Sequence, residues 1–534
     1  MVATPLARMI GFDETAGDGA ESLFWATLFA SVPFRFGMVT RAVNAVYYRL
    51  TRPAPATERD VASRLDIIAR LDRIRGTHDD AVAAIAAAKE ALARPLNDYL
   101  RAHPERRTDL IAQIADRGLR DFPYRVINAG LARDLVVLYS SLPYVDTSAL
   151  VAARRVRMRG AVVDVLSSNL KKARRIDPRA ESIWAEFVDQ QVQTASHPTW
   201  DDPALVSEYC RLGMTQLEAW VEEKGEYRTM YSRAMWPAAH VLAALYKARH
   251  PNVEWTAEFS DPMLIDVQGQ RREAKGPLEA ALLDQLSKAV RARGFEPPDM
   301  DNLWEIAELL PYALADKVLY TNENQRDVML SYCERPEYAA RAREHSIVEH
   351  HPTPPADFYD RLPTTYELDP SVVNIGYFGT FYITRGLTEV VDALRAMPLA
   401  SRARLRLHVF THRPDKLNED AREAGLAGVI VAKPYVSYLE FLSISKQMDV
   451  LLVNDFRAAE AHGRNPYLPA KYADYLGSGR PIWSIYEPGS VLSAQPTAYR
   501  SPLGDVDGAR DVLAAIAANG SALDELPATV ATAS

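Results

Sequence analysis

Leu468 to Pro481 reads LPAKYADYLGSGRP and holds the residue types best spaced for chemistry. Lys471 and Asp474 stand three apart, so a helix would carry both on one face. Pro469 suits a first helical turn, Gly477 and Gly479 stop the helix, and Pro481 opens the next strand. A helix start offers unpaired N–H groups and partial positive charge, and Lys471 adds a point charge, a combination that suits a phosphate. Asp474 can accept two hydrogen bonds from vicinal hydroxyls, as on a ribose. The same spacing also describes an ordinary surface Lys–Asp pair, so the surrounding elements have to separate the two readings.

Those elements change character along the chain. Residues 1 to about 130 read as helical: Leu65, Ile68, Leu71 and Ile74 recur at helical spacing, as do Val82, Ile85, Leu92, Leu96 and Tyr99. No chemistry is evident there, and a cap, an oligomerisation element or a membrane-docking element would all fit. From Asp134 short apolar runs alternate with amphipathic stretches. The runs are Leu135–Tyr139, Ala161–Leu166, Tyr227–Ser232, Val253–Ser260, Lys317–Asn322 and Ser346–His351. The pattern restarts with Val372–Gly379, Leu405–Thr411, Gly428–Lys433, Asp449–Asp455 and Pro481–Tyr486. Apolar runs separated by helices predict parallel sheets covered on both faces. The proline-rich stretch from His350 to Ser371 reads as a linker between the two halves.

The organisation expected is therefore α/β: a helical extension (1–130), two Rossmann-like doubly wound domains (131–360 and 371–515) facing across a cleft, and a tail (516–534). Strand ends would feed that cleft. Ser232 and Arg233 follow one such end, and His350 and His351 begin the linker where they could line it.

Composition narrows the classes. The balance of 62 basic and 70 acidic residues gives a net charge of −8, which argues against a protein that coats nucleic acid. Two distant cysteines, Cys210 and Cys333, exclude a disulfide scaffold and a cysteine-built zinc site and fit a reducing cytosol. Neither a metal nor a cofactor is expected. The longest apolar stretch, Ser22–Phe34, is too short to span a bilayer, and the acidic residues before it do not suit a secretory signal. It reads as a buried core helix or as an interfacial anchor, since Arg35, Arg41, Arg49 and Arg52 follow. Arg154, Arg155, Arg157 and Arg159, with Lys171, Lys172, Arg174 and Arg175, read as a solvated basic face or as an attraction for anionic lipid.

The Leu468–Pro481 segment resembles the donor-binding helix of GT-B-fold glycosyltransferases, especially retaining enzymes of glycosyltransferase family four and related bacterial surface-polysaccharide enzymes. Pro469, Lys471, Asp474, Tyr475, Gly479 and Pro481 carry the resemblance, with Leu468 just before them. Asn374–Leu387, NIGYFGTFYITRGL, looks like the glycine-rich first strand and loop of the same donor domain. The resemblance implies that Gly379 lets backbone approach the ligand and that Arg385 and Lys471 hold the donor diphosphate. It also implies that Asp474 holds the ribose. Thr380 stands where many relatives have a second basic residue. Pro466 stands where the first carboxylate of the family's glutamate pair is found, so Asn465, Arg464 or Glu460 would approach that space. On the other half, Ser140–Ser148 resembles the acceptor-side loop, bringing Asp146, Thr147 and Ser148 to the cleft. WTAEFSDP resembles a strand followed by Asp-Pro, with Asp261 facing the sugar or acceptor as a contact or base.

The activity this resemblance implies is sugar transfer from a nucleoside diphosphate sugar, with UDP or GDP as the carrier, to a glycan, a lipid-linked group or a small hydroxyl acceptor. It would be metal-independent and retaining, catalysed by Asp261, Arg385 and Lys471, and would serve cell-surface glycan or glycolipid synthesis. A cytoplasmic enzyme, peripheral on an anionic membrane and paired through its helical extension, fits this picture. A nucleotide-sugar 2-epimerase of the same fold and a non-catalytic partner subunit are the alternatives.

Overall fold

A computed structural model describes residues 57–519 apart from 75–78, 120, 195–200, 274–275 and 380–386, together with Leu23, Phe24 and Thr27. Most of the Ser22–Phe34 stretch, the arginines after it, Thr380, Arg385 and the tail beyond Asn519 lie outside the described residues. The chain divides into two compact units. One holds residues 1–133 with 160–164 and 184–191; the other holds the rest.

The first unit is helical. Glu58–Asp72 (α1) begins with a capping box, in which Thr57 and Asp60 bond each other's backbone N–H. Asp79–Ala102 (α2) and Arg107–Asp116 (α3) follow. The periodic Leu65, Ile68, Leu71, Leu92 and Leu96 meet Leu100 and Ile114 in one buried core, each worth roughly 1.5–3 kcal/mol of burial.

Two parallel sheets are centred on the second unit. In the first the strands are β1 (Asp134–Leu138), β2 (Val163–Ser168), β3 (Val188–Thr194), β4 (Thr229–Ala234), β5 (Glu254–Phe259), β6 (Lys317–Tyr320) and β7 (Ser346–Val348). Their spatial order is β3-β2-β1-β4-β5-β6-β7. The second sheet comprises β8 (Val373–Phe378), β9 (Leu405–Thr411), β10 (Ile430–Pro434), β11 (Val450–Asn454), β12 (Ile482–Tyr486) and β13 (Tyr499–Pro502). Its order is β10-β9-β8-β11-β12-β13. Each sheet runs outward in one direction and then jumps back across its first strand. That creates a crevice beside β1 and β4 in one half and beside β8 and β11 in the other, where open α/β sheets bind ligands. The two doubly wound halves facing across a cleft make this unit a GT-B architecture.

The central runs are apolar because helices cover both sheet faces. Every residue of β1, β2 and β8 is buried. Two edge strands escape the hydrophobic pattern. β3 (VDQQVQT) is polar and half-buried, and β13 (YRSP) is short and ends in proline, as edge strands tolerate. Four helices position the cleft: Thr147–Arg159 (α4) in the first half, and Thr388–Ala396 (α5), Tyr438–Gln447 (α6) and Ala470–Leu476 (α7) in the second. α7 ends as its glycines require. Gly479 has φ of 70°, and a side chain on Gly477 would collide with the ring of Tyr359.

Candidate functional site

The carboxyl ends of both sheets and the loops after them enclose a cleft of about 1250 Å³. From the second half it takes Tyr377 and Phe378 at the end of β8 with Gly379 after them, Asn454 at the end of β11 with Asp455 after it, and Leu468 to Lys471 at the start of α7. From the first it takes Asp146, Thr147 and Ser148 at the start of α4, Ser260 and Asp261 after β5, and Arg233, which lies within β4 near its end rather than after it. The structure thus gathers Gly379, Leu468, Pro469, Lys471, Asp474, Asp146, Thr147, Ser148, Arg233 and Asp261 around one space.

Lys471 is half-buried and lines the cleft. Its ammonium makes no hydrogen bond or ion pair with the described residues. Burial lowers its pKa, against the pull of nearby Asp474. With seven residues, α7 supplies only a small dipole, so the ammonium is the stronger attraction for an anion.

Asp474 is more deeply committed than the spacing suggests. Its Oδ1 accepts from Arg154 Nη1 at 2.6 Å and from the Tyr438 hydroxyl at 2.8 Å. The Arg154 and Asp474 side chains are 2% and 9% exposed, so this is a buried ion pair between the two halves. Tyr359 donates its hydroxyl to the Asp474 carbonyl. No described residue bonds Asp474 Oδ2.

The basic run on α4 is a correction. Arg154 and Arg155 are buried, so they form no solvated face. Arg155 Nε bonds Glu258 at 3.2 Å, and Arg233 Nη1 bonds the other Glu258 oxygen. Register explains the second bond, since Arg233 on β4 lies directly opposite Glu258 on β5. Burial would raise the Glu258 carboxyl, but Arg155, Arg233 and the Tyr231 hydroxyl pull it down to about 2. His351 lines the cleft beside this cluster, with its pKa held well below the ordinary value by burial and by Arg233. His350 gives its carbonyl to Arg155 at 3.2 Å.

Asp261 is open to the cleft yet walled by protein. That crowding raises its carboxyl, and Arg233 and Arg272 oppose the rise. Its loop is pinned from below. Arg272 Nη1 donates to the Pro262 and Met263 carbonyls at 2.9 and 2.5 Å. Buried Glu308 accepts from the Met263 and Leu264 N–H groups at 3.2 and 2.9 Å.

Other sequence candidates are turned inward. The Ser232 hydroxyl lies under the sheet, 2.9 Å from His240 Nδ1 and 2.8 Å from Trp255 Nε1, and does not reach the cleft. Asn465 is also buried, with Nδ2 on the Phe456 carbonyl at 2.7 Å and on Glu487 at 2.9 Å. Its side chain braces its own loop. Arg464 pairs with Asp327 at 3.6 Å and Glu460 is exposed, so neither takes the place of the carboxylate missing at Pro466. Asp146 lines the cleft but also caps α4, accepting from Ala149 N–H at 2.9 Å and Ser140 Oγ at 2.6 Å.

Several cleft residues carry no motif. Tyr435, 43% exposed, presents an aromatic face after β10 and stacks on His412 with centroids 6.4 Å apart. Phe378 and Phe410 stack at 4.6 Å beside the β8 crevice. Asp455 follows β11 immediately, and its position at a strand's carboxyl end is the signal that could have found it. Among the described residues no group of three or more His, Cys, Asp or Glu side chains is placed to hold a metal ion. No helix among them is long and apolar enough to cross a membrane.

No family model matches the sequence, and no curated protein matches it. Solved structures similar in fold include a sucrose-phosphate synthase from Thermosynechococcus elongatus, with 13% identity over 73% of this chain and 91% of that one, at a TM-score of 0.43. A glycosyltransferase from Rickettsia africae shares 9% identity over 73% and 93%, at 0.42. A putative UDP-N-acetylglucosamine 2-epimerase from Listeria monocytogenes shares 10% over 75% and 91%, at 0.44.

Proposed function

We propose that this chain is a glycosyltransferase that moves a sugar from a nucleoside diphosphate sugar to a hydroxyl acceptor. The observation that carries the reading is the unpaired ammonium of Lys471, in a cleft built from the carboxyl ends of two parallel sheets and opposite Asp261. In such a reaction the diphosphate departs with growing negative charge. A cation already positioned at that spot stabilises that charge without reorganising. Lys471 has this character, since none of the described residues pairs with its ammonium. Arg385 belongs to the same proposal by the resemblance of its loop. A planar base would lie against Tyr435, and a ribose hydroxyl would meet Asp474 Oδ2, the oxygen that Arg154 and Tyr438 leave unused.

On the acceptor side, Asp261 meets the attacking hydroxyl or the sugar. Crowding raises its carboxyl, the direction a proton-accepting group requires. Retention, metal independence, UDP or GDP as carrier, and a glycan or lipid-linked acceptor at an anionic membrane complete the proposal.

The test is calorimetry of the full chain with UDP, GDP and their sugars, followed by a transfer assay. Binding of a nucleoside diphosphate that Lys471→Ala weakens at least tenfold supports the reading. Absence of binding by the wild-type protein refutes it. Incubating the bound sugar nucleotide without acceptor separates transfer from epimerisation, since only an epimerase yields a new epimer.

A further inference from the structure

The structure assigns a second carboxylate to the donor half of the cleft. We infer that Asp455 reads a hydroxyl of the transferred sugar through its Oδ1. This rests on the transferase reading above and deepens it.

Asp455 follows β11 directly, and β11 pairs with β8 in the middle of the second sheet. It therefore stands at the crevice where the strand order reverses, across from Gly379 at the end of β8. It lines the cleft although only 2% of its surface is exposed. Its two oxygens differ in their partners. Oδ2 accepts the Glu487 N–H at 2.9 Å and the Ser490 hydroxyl. Oδ1 is buried and has no hydrogen-bond partner among the described residues. A buried polar atom left without a partner costs about 1–3 kcal/mol, and nearly all such atoms in folded proteins are satisfied. A ligand in the cleft would supply the missing bond.

The chemistry of that ligand group follows from the surroundings. A phosphate is disfavoured, because the ionised form of Asp455 would repel it and Lys471 already offers phosphate a cation. Burial also raises the carboxyl to about 7, against the bonds from Ser490 and the Glu487 N–H, and the Glu487 carboxylate adds to the rise. Near neutral pH the group therefore exists both as acid and as carboxylate. A hydroxyl satisfies either form, donating to the carboxylate and accepting from the acid. An ammonium or a carbonyl would satisfy only one. The anchoring of Oδ2 fixes the free oxygen, and the Glu487 carboxylate holds the following turn through the Ala458 N–H at 3.0 Å and Asn465 Nδ2 at 2.9 Å.

The experiment compares binding of UDP and GDP with binding of UDP-glucose, UDP-N-acetylglucosamine and GDP-mannose, using calorimetry on the full chain. Asp455→Ala should weaken the sugar nucleotide that binds wild type by more than about tenfold. Asp455→Asn keeps the anchoring oxygen and a donor in place of Oδ1, so it should lose only about three- to tenfold. In both variants the parent nucleoside diphosphate should bind within about twofold of wild type, which also reports that the variant is folded. Lys471→Ala should instead weaken both ligands together. Unchanged sugar-nucleotide affinity in Asp455→Asn and Asp455→Ala, or equal losses for both ligand types, would overturn the assignment while leaving the transferase reading intact. A wild-type protein that binds none of these nucleotides overturns both.

Discussion

Removing Arg154 should loosen the association of the two halves of the cleft. Arg154 belongs to α4 in the first half and Asp474 to α7 in the second. Their 2.6 Å contact is almost fully shielded from water. Once the guanidinium is removed, Asp474 keeps the Tyr438 hydroxyl as its side-chain partner and remains a buried charge. Breaking one side of such a pair typically costs about 3–5 kcal/mol, most of it the uncompensated charge left behind. Arg154→Met preserves much of the stem packing, so its effect isolates the charge. For a unit of this size the loss should lower Tm by roughly 4–6 °C. Pairing Arg154→Met with Asp474→Asn removes the stranded charge, and the double variant should recover about 1–3 kcal/mol relative to the sum of the singles. Differential scanning calorimetry measures the shifts, and hydrogen exchange at α4 and α7 locates them. A Tm change below about 1 °C for Arg154→Met, or strict additivity in the double variant, would refute the claim that this pair holds the halves together.

Lys471→Ala should cut transfer by roughly 10²-fold. The weakened diphosphate binding should also lose part of its salt dependence when titrated from low to high ionic strength. Asp261→Asn should reduce turnover while leaving UDP or GDP affinity within about twofold; a parallel loss of affinity would move Asp261 out of the acceptor side. Glu308 should link stability to pH. Burial raises its carboxyl from 4.5 to about 7, so the folded state holds that proton more tightly than the unfolded one. The contribution is complete below the unfolded value and is lost as pH rises through about 7. Its ceiling is roughly 3 kcal/mol. Glu308→Gln keeps the oxygen that serves Met263, Leu264 and Tyr332 and removes the titration. Its Tm should match wild type near pH 5 and exceed it by several degrees at pH 8, as read from thermal melts across that range.

The central strands were legible because they are apolar throughout. LVVLY, VVNIGYFG and DVLLVND each fall on strands whose residues are buried or nearly so, and Leu405–Thr411 coincides with β9. β3 and β13 were not legible, because edge strands need no continuous apolar run. Lys471 was placed at the cleft by strand–loop–helix logic together with the family resemblance, and Asp261 by the resemblance of its strand and Asp-Pro. Asp474 was read as open, and its partner Arg154 is 320 residues away, beyond any local pattern. Arg154 and Arg155 looked like a solvated face because helical spacing reports charge but not the distant carboxylates that allow it to be buried. Ser232 and Asn465 likewise look available until their internal hydrogen bonds are known. Asp455 was seen as the last residue of a strand; which of its oxygens lacks a partner depends on Ser490 and Glu487, more than thirty residues later.

Asn322 and Asn324, just after β6, reach across to the loop before α7. Asn322 Nδ2 donates to the Pro466 carbonyl at 3.0 Å, and Asn324 Nδ2 donates to the Asn465 and Gly489 carbonyls at 3.0 and 3.1 Å. All three bonds end on main-chain oxygens, which every amino acid possesses. Side chains at 464, 466 and 467 can therefore be exchanged without severing these ties, provided Asn465 is kept to brace the loop. Alignment of the halves therefore does not depend on the identity of Tyr467, the residue of this stretch that lines the cleft, and a library randomised there should leave the halves docked.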